Sequence, residues 1–414
     1  MTSQIVLMNK LGIAIASDSS LTISRGDNRR TYGSAEKIFT VGPDHNVAVL
    51  HSGSVEFMKH PYEVLLTEWR KSITRPLPLL QDYSESFISW LSHRQDLFNQ
   101  ENQNRYQEDI SEEYFLEVRR VIFERLRSAE IGSELWQEDS TLEFVIHILK
   151  EDLEWLESQD DLSGLSQGWA ESRFSSLKDP FQKAIDYVFD DIPRSQAIDE
   201  KILEIAQKLL YKAINSDSDA RLAFTGYGEK EIYPSHVWLD FKGVIADRPR
   251  FIQSSEKVDN DKDCFLRTHA QDEAIHTYIR GYHFSYLEKG KENLRENAEA
   301  LLDSIRNKLS LELFLEVEAE VFAMRNDSIE NLSSSFVKNS DDRFVHPFVA
   351  TLSGLPSASL GKMAESLIEL QILRQSSQAI QDTVGGVVDV AVITLGNGFQ
   401  WYRHKTLDDL WKGV

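Results

Sequence analysis

Residues 4–16, QIVLMNKLGIAIA, set two short apolar runs on either side of Asn9-Lys10-Leu11-Gly12. Each run is too short for a helix, and the break between them is polar and contains a glycine, so the segment reads as a β-hairpin. A second pair of strands is expected at Ala35–Val41 and Asn46–Leu50, joined by Gly42-Pro43-Asp44-His45, where Pro and Gly punctuate a turn. Four strands thus precede any helix, which commits the fold to a sheet before its helical part begins.

From Val55 to Lys71 the pattern becomes helical and stays so for over a hundred residues. Stretches such as KEDLEWLESQDDLS alternate acidic residues with spaced apolar ones, as the solvated faces of amphipathic helices do. Ala197–Ile214 is the clearest helix, with Ile198, Ile202, Ile205 and Leu209 on one stripe. Strands are expected again at Arg221–Thr225, His236–Phe241 and Gly243–Ala246, with Phe241-Lys242-Gly243 as a turn. Residues 271–325 read as helical. The C-terminal part reads as a strand at 348–352, a helix at 359–374, a strand at 387–394, a Gly-Asn-Gly turn and a strand at 399–404. Strands grouped at both ends with helices between them indicate an α+β layered sandwich carrying helical insertions.

The chain has 414 residues with 45 Lys+Arg against 67 Asp+Glu, a net charge of -22. Such a surface repels a phosphate backbone on average, which argues against nucleic acid as a partner. The single cysteine, Cys264, makes an intramolecular disulfide or a multi-cysteine zinc site impossible and fits a reducing, cytoplasmic setting. No apolar run reaches the ~18 residues of a membrane span, and the N-terminus lacks the pattern of a signal peptide. No metal or cofactor motif stands out.

Several residues can carry chemistry. Met1 ahead of a small residue is ordinarily removed, which would leave Thr2 with a free α-amine beside its hydroxyl, a nucleophile with its own base. Asp18 follows the apolar strand IAIA. Lys37 lies in the apolar context AEKIF, where a lysine is either an edge-strand solubility device or a buried cation with a carboxylate partner. Gly53, between a strand and a helix, can offer an N–H to a developing oxyanion or simply form a turn.

In order, these features resemble the N-terminal third of a proteasome β-type subunit, of the threonine peptidase branch of the N-terminal nucleophile hydrolases. The resemblance resumes at residues 197–243, at TLSGLPSASLGKMAESLIEL and at QDTVGGVVDVAVIT. It implies an αββα four-layer sandwich interrupted by two insertions. On that reading residues 2–75, 195–270 and 348–414 form the core, and 76–194 and 271–347 are helical insertions. It further implies Thr2 as nucleophile and base, Asp18 and Lys37 as an ion pair that tunes it, and Gly53 as the oxyanion amide. Ser353, Gly354 and Asp382 match the polar network that positions the threonine amine. His51 matches the floor of the pocket for the side chain preceding the scissile bond, with Leu21 and Val55 as walls. A His51 that ionises near ~6.5 would strengthen a preference for acidic side chains as pH falls from 8 to 6. The family pattern has a serine before the Gly-Gly turn, whereas Val384 precedes Gly385-Gly386 here.

The expected activity is therefore hydrolysis of peptides or unfolded protein by a homo-oligomer, with an unfoldase or regulatory partner left open by the sequence. Two alternatives stay open: a catalytically inactive scaffold or peptide-binding subunit of the same architecture, and a small-molecule amidase of the same superfamily.

Overall fold

In the computed structural model the hairpin forms at the expected place. Strand Ser3–Asn9 pairs antiparallel with Gly12–Ser17, Gln4 opposite Ser17 and Asn9 opposite Gly12. Asn9 closes the turn, its Oδ1 accepting the N–H groups of Leu11 at 2.9 Å and Gly12 at 3.2 Å. Both strands are buried along their whole length, which is why they read as continuous apolar runs instead of alternating ones. The structure describes residues 2–25, 28–32, 35–128, 138–192, 194–216, 218–306, 308–377 and 384–406. They belong to two units, Met1–Ala35 with Lys257–Val414, and Glu36–Glu256.

The first unit carries a five-stranded antiparallel sheet in the order Cys264–Ala270, Ser3–Asn9, Gly12–Ser17, Asp389–Thr394, Gly398–Arg403. Helix Ser357–Ser377 lies on it, packing Leu360, Ala364, Leu367 and Ile368 against Ile5, Leu7, Ala14, Ala16 and Val390. Gly361 permits the close approach, since a Cβ there would stand 3.1 Å from a Val392 methyl. Helices Glu273–Arg280, Phe284–Arg306 and Leu311–Ser340 fill the stretch expected to be a helical insertion.

The second unit holds another five-stranded antiparallel sheet, ordered Arg248–Lys257, Ser235–Ile245, Ala220–Gly226, Val47–Gly53, Ile38–Thr40. Helices Tyr62–Arg70 and Leu80–Ser92 cover it through an aromatic core of Trp69, Tyr83, Phe87, Phe224 and Phe241. Helices Gln100–Ser128, Glu138–Ser158, Gln167–Val188 and Gln196–Leu209 build a separate core around Phe115, Leu149, Leu156, Phe181 and Ile185. Ser166 and Ser195 start the last two of these helices by capping the N–H groups of Trp169 and Ile198. Helix Gln196–Leu209 has the apolar stripe expected of it, but Ile198, Ile202, Ile205 and Leu209 face this helical core and not the aromatic one. The chain is thus mixed α and β with antiparallel sheets. Among the described residues no helix is long and apolar enough to cross a membrane.

Several elements differ from expectation: among the described residues eight strands and not four precede the first helix, the additional ones being Leu21–Arg25, Asn28–Tyr32, Glu56–Phe57 and His60–Pro61, so helix begins at Tyr62 and not at Val55. Residues 348–352 are helical, within His346–Gly354, and only Leu352 of that helix is buried. A five-residue apolar run carries no periodicity that separates strand from helix, and this one continues the Leu311–Ser340 helix through a π turn at Asp341–Val345. Gly243 is not a turn either: Ser235–Ile245 is one strand, and Gly243 lies inside it with φ 84°. The chain reverses at Ala246 and Asp247, both at positive φ (51° and 59°). Gln103 holds that reversal, its Nε2 donating to Asp247 Oδ1 at 2.7 Å and its Oε1 accepting the Asp247 N–H at 2.9 Å.

Within the helical core Tyr114 donates its hydroxyl to both oxygens of Asp152, at 2.9 and 3.0 Å. Burial pushes the Asp152 carboxyl up from 3.8 to about 6, against the help of that hydrogen bond. A carboxyl raised on folding adds stability that is fully present below its unfolded pKa and lost as pH rises through the folded one. Asp152→Asn is therefore expected to gain about 1–3 kcal/mol of unfolding free energy at pH 8 and almost nothing at pH 4, as urea denaturation at the two pH values would measure. An equal gain at both would remove burial of the charge as the cause.

Candidate active site

Thr2 stands directly before strand Ser3–Asn9 and is buried, its carbonyl accepting the Gln271 N–H at 2.8 Å. The hairpin register that sets Ser17 opposite Gln4 brings Asp18 level with Ser3. Asp18 has no exposed surface, and its carboxylate collects main-chain donors: Oδ1 accepts Ser3 N–H at 2.9 Å, and Oδ2 accepts Ser20 and Gly385 N–H at 3.3 and 3.2 Å. A buried carboxylate needs such donors to repay its lost hydration. Thr2 and Asp18 are thereby brought together through Ser3.

The same network reaches the Gly-Gly turn, because Ser19 N–H donates to Gly385 O at 3.2 Å. Val384 is buried, so the position before the turn supplies no hydroxyl. Ser20 supplies one nearby: a Cβ on Gly385 would stand 3.3 Å from Ser20 Oγ. Sequence reasoning passed over Ser20; the polar run Ser17-Asp18-Ser19-Ser20 directly after an apolar strand was the available signal.

The second unit groups three more of the expected residues. Lys37 precedes strand Ile38–Thr40 and is buried, and its carbonyl accepts the His51 N–H at 3.0 Å. His51 and Gly53 follow on strand Val47–Gly53, two residues apart and so on the same face. The His51 ring tilts against Tyr62 with centroids 4.5 Å apart, and Nε2–H donates to Ser54 O at 2.8 Å. Gly53 has φ 92°, and a Cβ there would meet Asp219 O at 2.6 Å, so only glycine fits this strand end. Val55 is 44% exposed. Leu21, half-buried, opens strand Leu21–Arg25 opposite Tyr32 in the first unit.

Ser353 and Gly354 do not join Thr2. They end the His346–Gly354 helix, whose neighbouring carbonyls of Leu352 and Leu355 are held by Asn9 Nδ2 at 2.9 and 2.8 Å. Asn9 is at the far end of the strand that begins beside Thr2, roughly 20 Å away at the usual rise per residue. Ser353 Oγ spends its proton on Ala350 O at 2.9 Å, and nothing lies within 4 Å of a Cβ on Gly354. The match with the family pattern fails here because the segment is helical where the pattern needs a strand end. Asp382 lies outside the described residues. Searches against protein-family models and against curated proteins find no match to this chain.

The electrostatics of His51 also depart from expectation. Burial pushes its imidazole down to about 4, the neighbouring Lys37 cation adds to the shift, and the Ser54 carbonyl opposes it. His51 is therefore neutral from pH 8 to pH 6 and brings no charge to a bound side chain in that range. A histidine lowered on folding contributes stability that is present above its unfolded pKa of 6.5 and lost as pH falls through about 4. Between pH 7 and pH 4 the loss from this group is expected to be about 3 kcal/mol. Chemical denaturation across that range is the measurement, and His51→Gln should flatten the curve by that amount; an unchanged slope would mean that the ring is protonated in the native state.

Proposed function

We propose that the chain is a threonine-type amide hydrolase acting on peptides, with Thr2 as nucleophile once Met1 is removed. The observation that carries this reading is the Asp18 carboxylate, buried and bonded to the N–H of Ser3, the residue that follows Thr2. A nucleophile at a chain end needs its backbone pinned, since a free terminus frays and loses the alignment that catalysis depends on. Asp18 and the Gln271 N–H together pin it from both sides.

In the proposed reaction the Thr2 amine takes the proton from Oγ1 as that oxygen attacks the peptide carbonyl carbon. The oxyanion accepts from Gly53 N–H, and the amine then gives its proton to the departing amine as the C–N bond breaks. Water, deprotonated by the same amine, cleaves the resulting ester and frees Thr2. Lys37 is assigned the role of lowering the charge cost at Oγ1 by its positive field. The reading includes an αββα sandwich, a homo-oligomer and no nucleic-acid partner. Ser353 and Gly354 are left out of it, and Ser20 is added as the hydroxyl beside the Gly385-Gly386 turn.

Val384 in place of the family's serine favours one second reading, an inactive subunit that keeps the architecture for binding. Intact mass and covalent labelling separate the two. The hydrolase reading expects loss of Met1 and labelling by an epoxyketone or β-lactone that disappears in Thr2→Ala; a retained Met1, or labelling that survives the substitution, would sink it. Lys37→Ala, with its fold checked by circular dichroism, is expected to lower peptide turnover by roughly 100-fold or more. Turnover within a few-fold of the parent would strip Lys37 of a catalytic role.

A further inference from the structure

A cavity of about 460 Å³ opens in the second unit between the helical core and the edge of the sheet, a volume typical of small-molecule sites. Its polar floor is made by Arg250, Lys242 and Asp219, and its walls by Ile110, Trp155 and Leu209. Arg250 is 4% exposed and donates to Leu209 O at 2.5 Å and Lys242 O at 3.1 Å. Both acceptors are neutral carbonyls, the Tyr106 hydroxyl and the Asp219 carboxylate act on the guanidinium from nearby, and Nε is buried with no acceptor. Lys242, equally buried, is paired with Asp219 Oδ2, while Asp219 Oδ1 is buried without a donor. Tyr106 is locked over this floor, donating to Lys242 O at 2.5 Å with its ring where a Cβ on Gly243 would otherwise stand, 2.1 Å away.

On the floor two cations face one carboxylate, while the lining as a whole also holds Glu113 and Glu117. An unbonded buried donor costs about 1–3 kcal/mol, so an acceptor that reached Arg250 Nε would complete its hydrogen bonding. Burial lowers the pKa of Arg250 and raises that of Asp219, in keeping with the desolvation. Glu113 and Glu117 also line the cavity and disfavour a ligand carrying several negative charges. The aromatic and aliphatic walls ask for an apolar body behind the charged head.

We propose that this cavity binds a small organic monocarboxylate, its head on the Arg250 guanidinium and its apolar body against Ile110, Trp155 and Leu209. The site is independent of the nucleophile assigned above. Asp219 nevertheless belongs to both regions, since its carbonyl accepts the Ser54 N–H at 3.0 Å and closes against Gly53.

Calorimetric titration of the full chain with phenylacetate, phenylpropionate and phenylbutyrate, with their carboxamides and with inorganic phosphate, tests the assignment. At least one of the acids is expected to bind with a submillimolar Kd, its amide at least tenfold more weakly, and phosphate not detectably. Arg250→Met should erase the preference for acid over amide. Because Arg250 also caps Leu209, that variant risks unfolding, so Ala213→Phe, which fills the cavity from its wall and leaves the charges intact, is the second arm and should weaken binding at least tenfold. No binding of any acid up to 10 mM, equal binding of acid and amide, tighter binding of phosphate, or undiminished binding by a folded Ala213→Phe would each overturn the proposal.

Discussion

The Asp18 carboxylate is the interaction on which the first unit's arrangement depends. One buried group accepts main-chain donors from three separated stretches: Ser3 at the start of the first strand, Ser20 after the second, and Gly385 ahead of the fourth strand of the sheet. Each of those N–H groups sits where ladder pairing stops, so the carboxylate takes over as the strands' hydrogen bonding runs out. Removing it would take the acceptor from two buried donors and from the partly buried Gly385 N–H, and the same removal would free the backbone next to Thr2. Stability and placement of the proposed nucleophile therefore rest on the same bonds.

The second unit solves a related problem with backbone geometry. Gly53 ends its strand in a conformation that larger residues resist, pressed against Asp219 O, which in turn holds Ser54 N–H. His51, two residues earlier, is kept neutral by burial beside the Lys37 cation. With the His51 and Ser54 N–H groups spent on Lys37 O and Asp219 O, the proposed reaction draws on the Gly53 N–H between them for its oxyanion.

Much of this was legible from residue order. The hairpin at 4–16 is unmistakable because both its strands are buried on both faces, and the 196–209 helix because its stripe recurs at helical spacing. The 348–352 segment misled because a short apolar run has no period, and that error carried Ser353 and Gly354 into the candidate site. Gly243 misled in another way: the glycine accommodates the Tyr106 ring, while the real reversal uses Ala246 and Asp247, of which only the aspartate is a turn-forming type. The cavity was invisible because Arg250, Lys242 and Asp219 look like ordinary surface charges until helices from elsewhere in the chain bury them.

The Ala246–Asp247 reversal bears on how this unit assembles. Two non-glycine residues at positive φ resist the turn locally by roughly 1 kcal/mol or more each, so the flanking strands gain little by closing on their own. The bonds that make the turn favourable come from Gln103, 144 residues earlier. The reversal between Ser235–Ile245 and Arg248–Lys257 is thus supported from outside, by the Gln100–Ser128 helix. Closing this sheet edge therefore depends on a contact far away in sequence, the kind whose loop-closure cost slows folding.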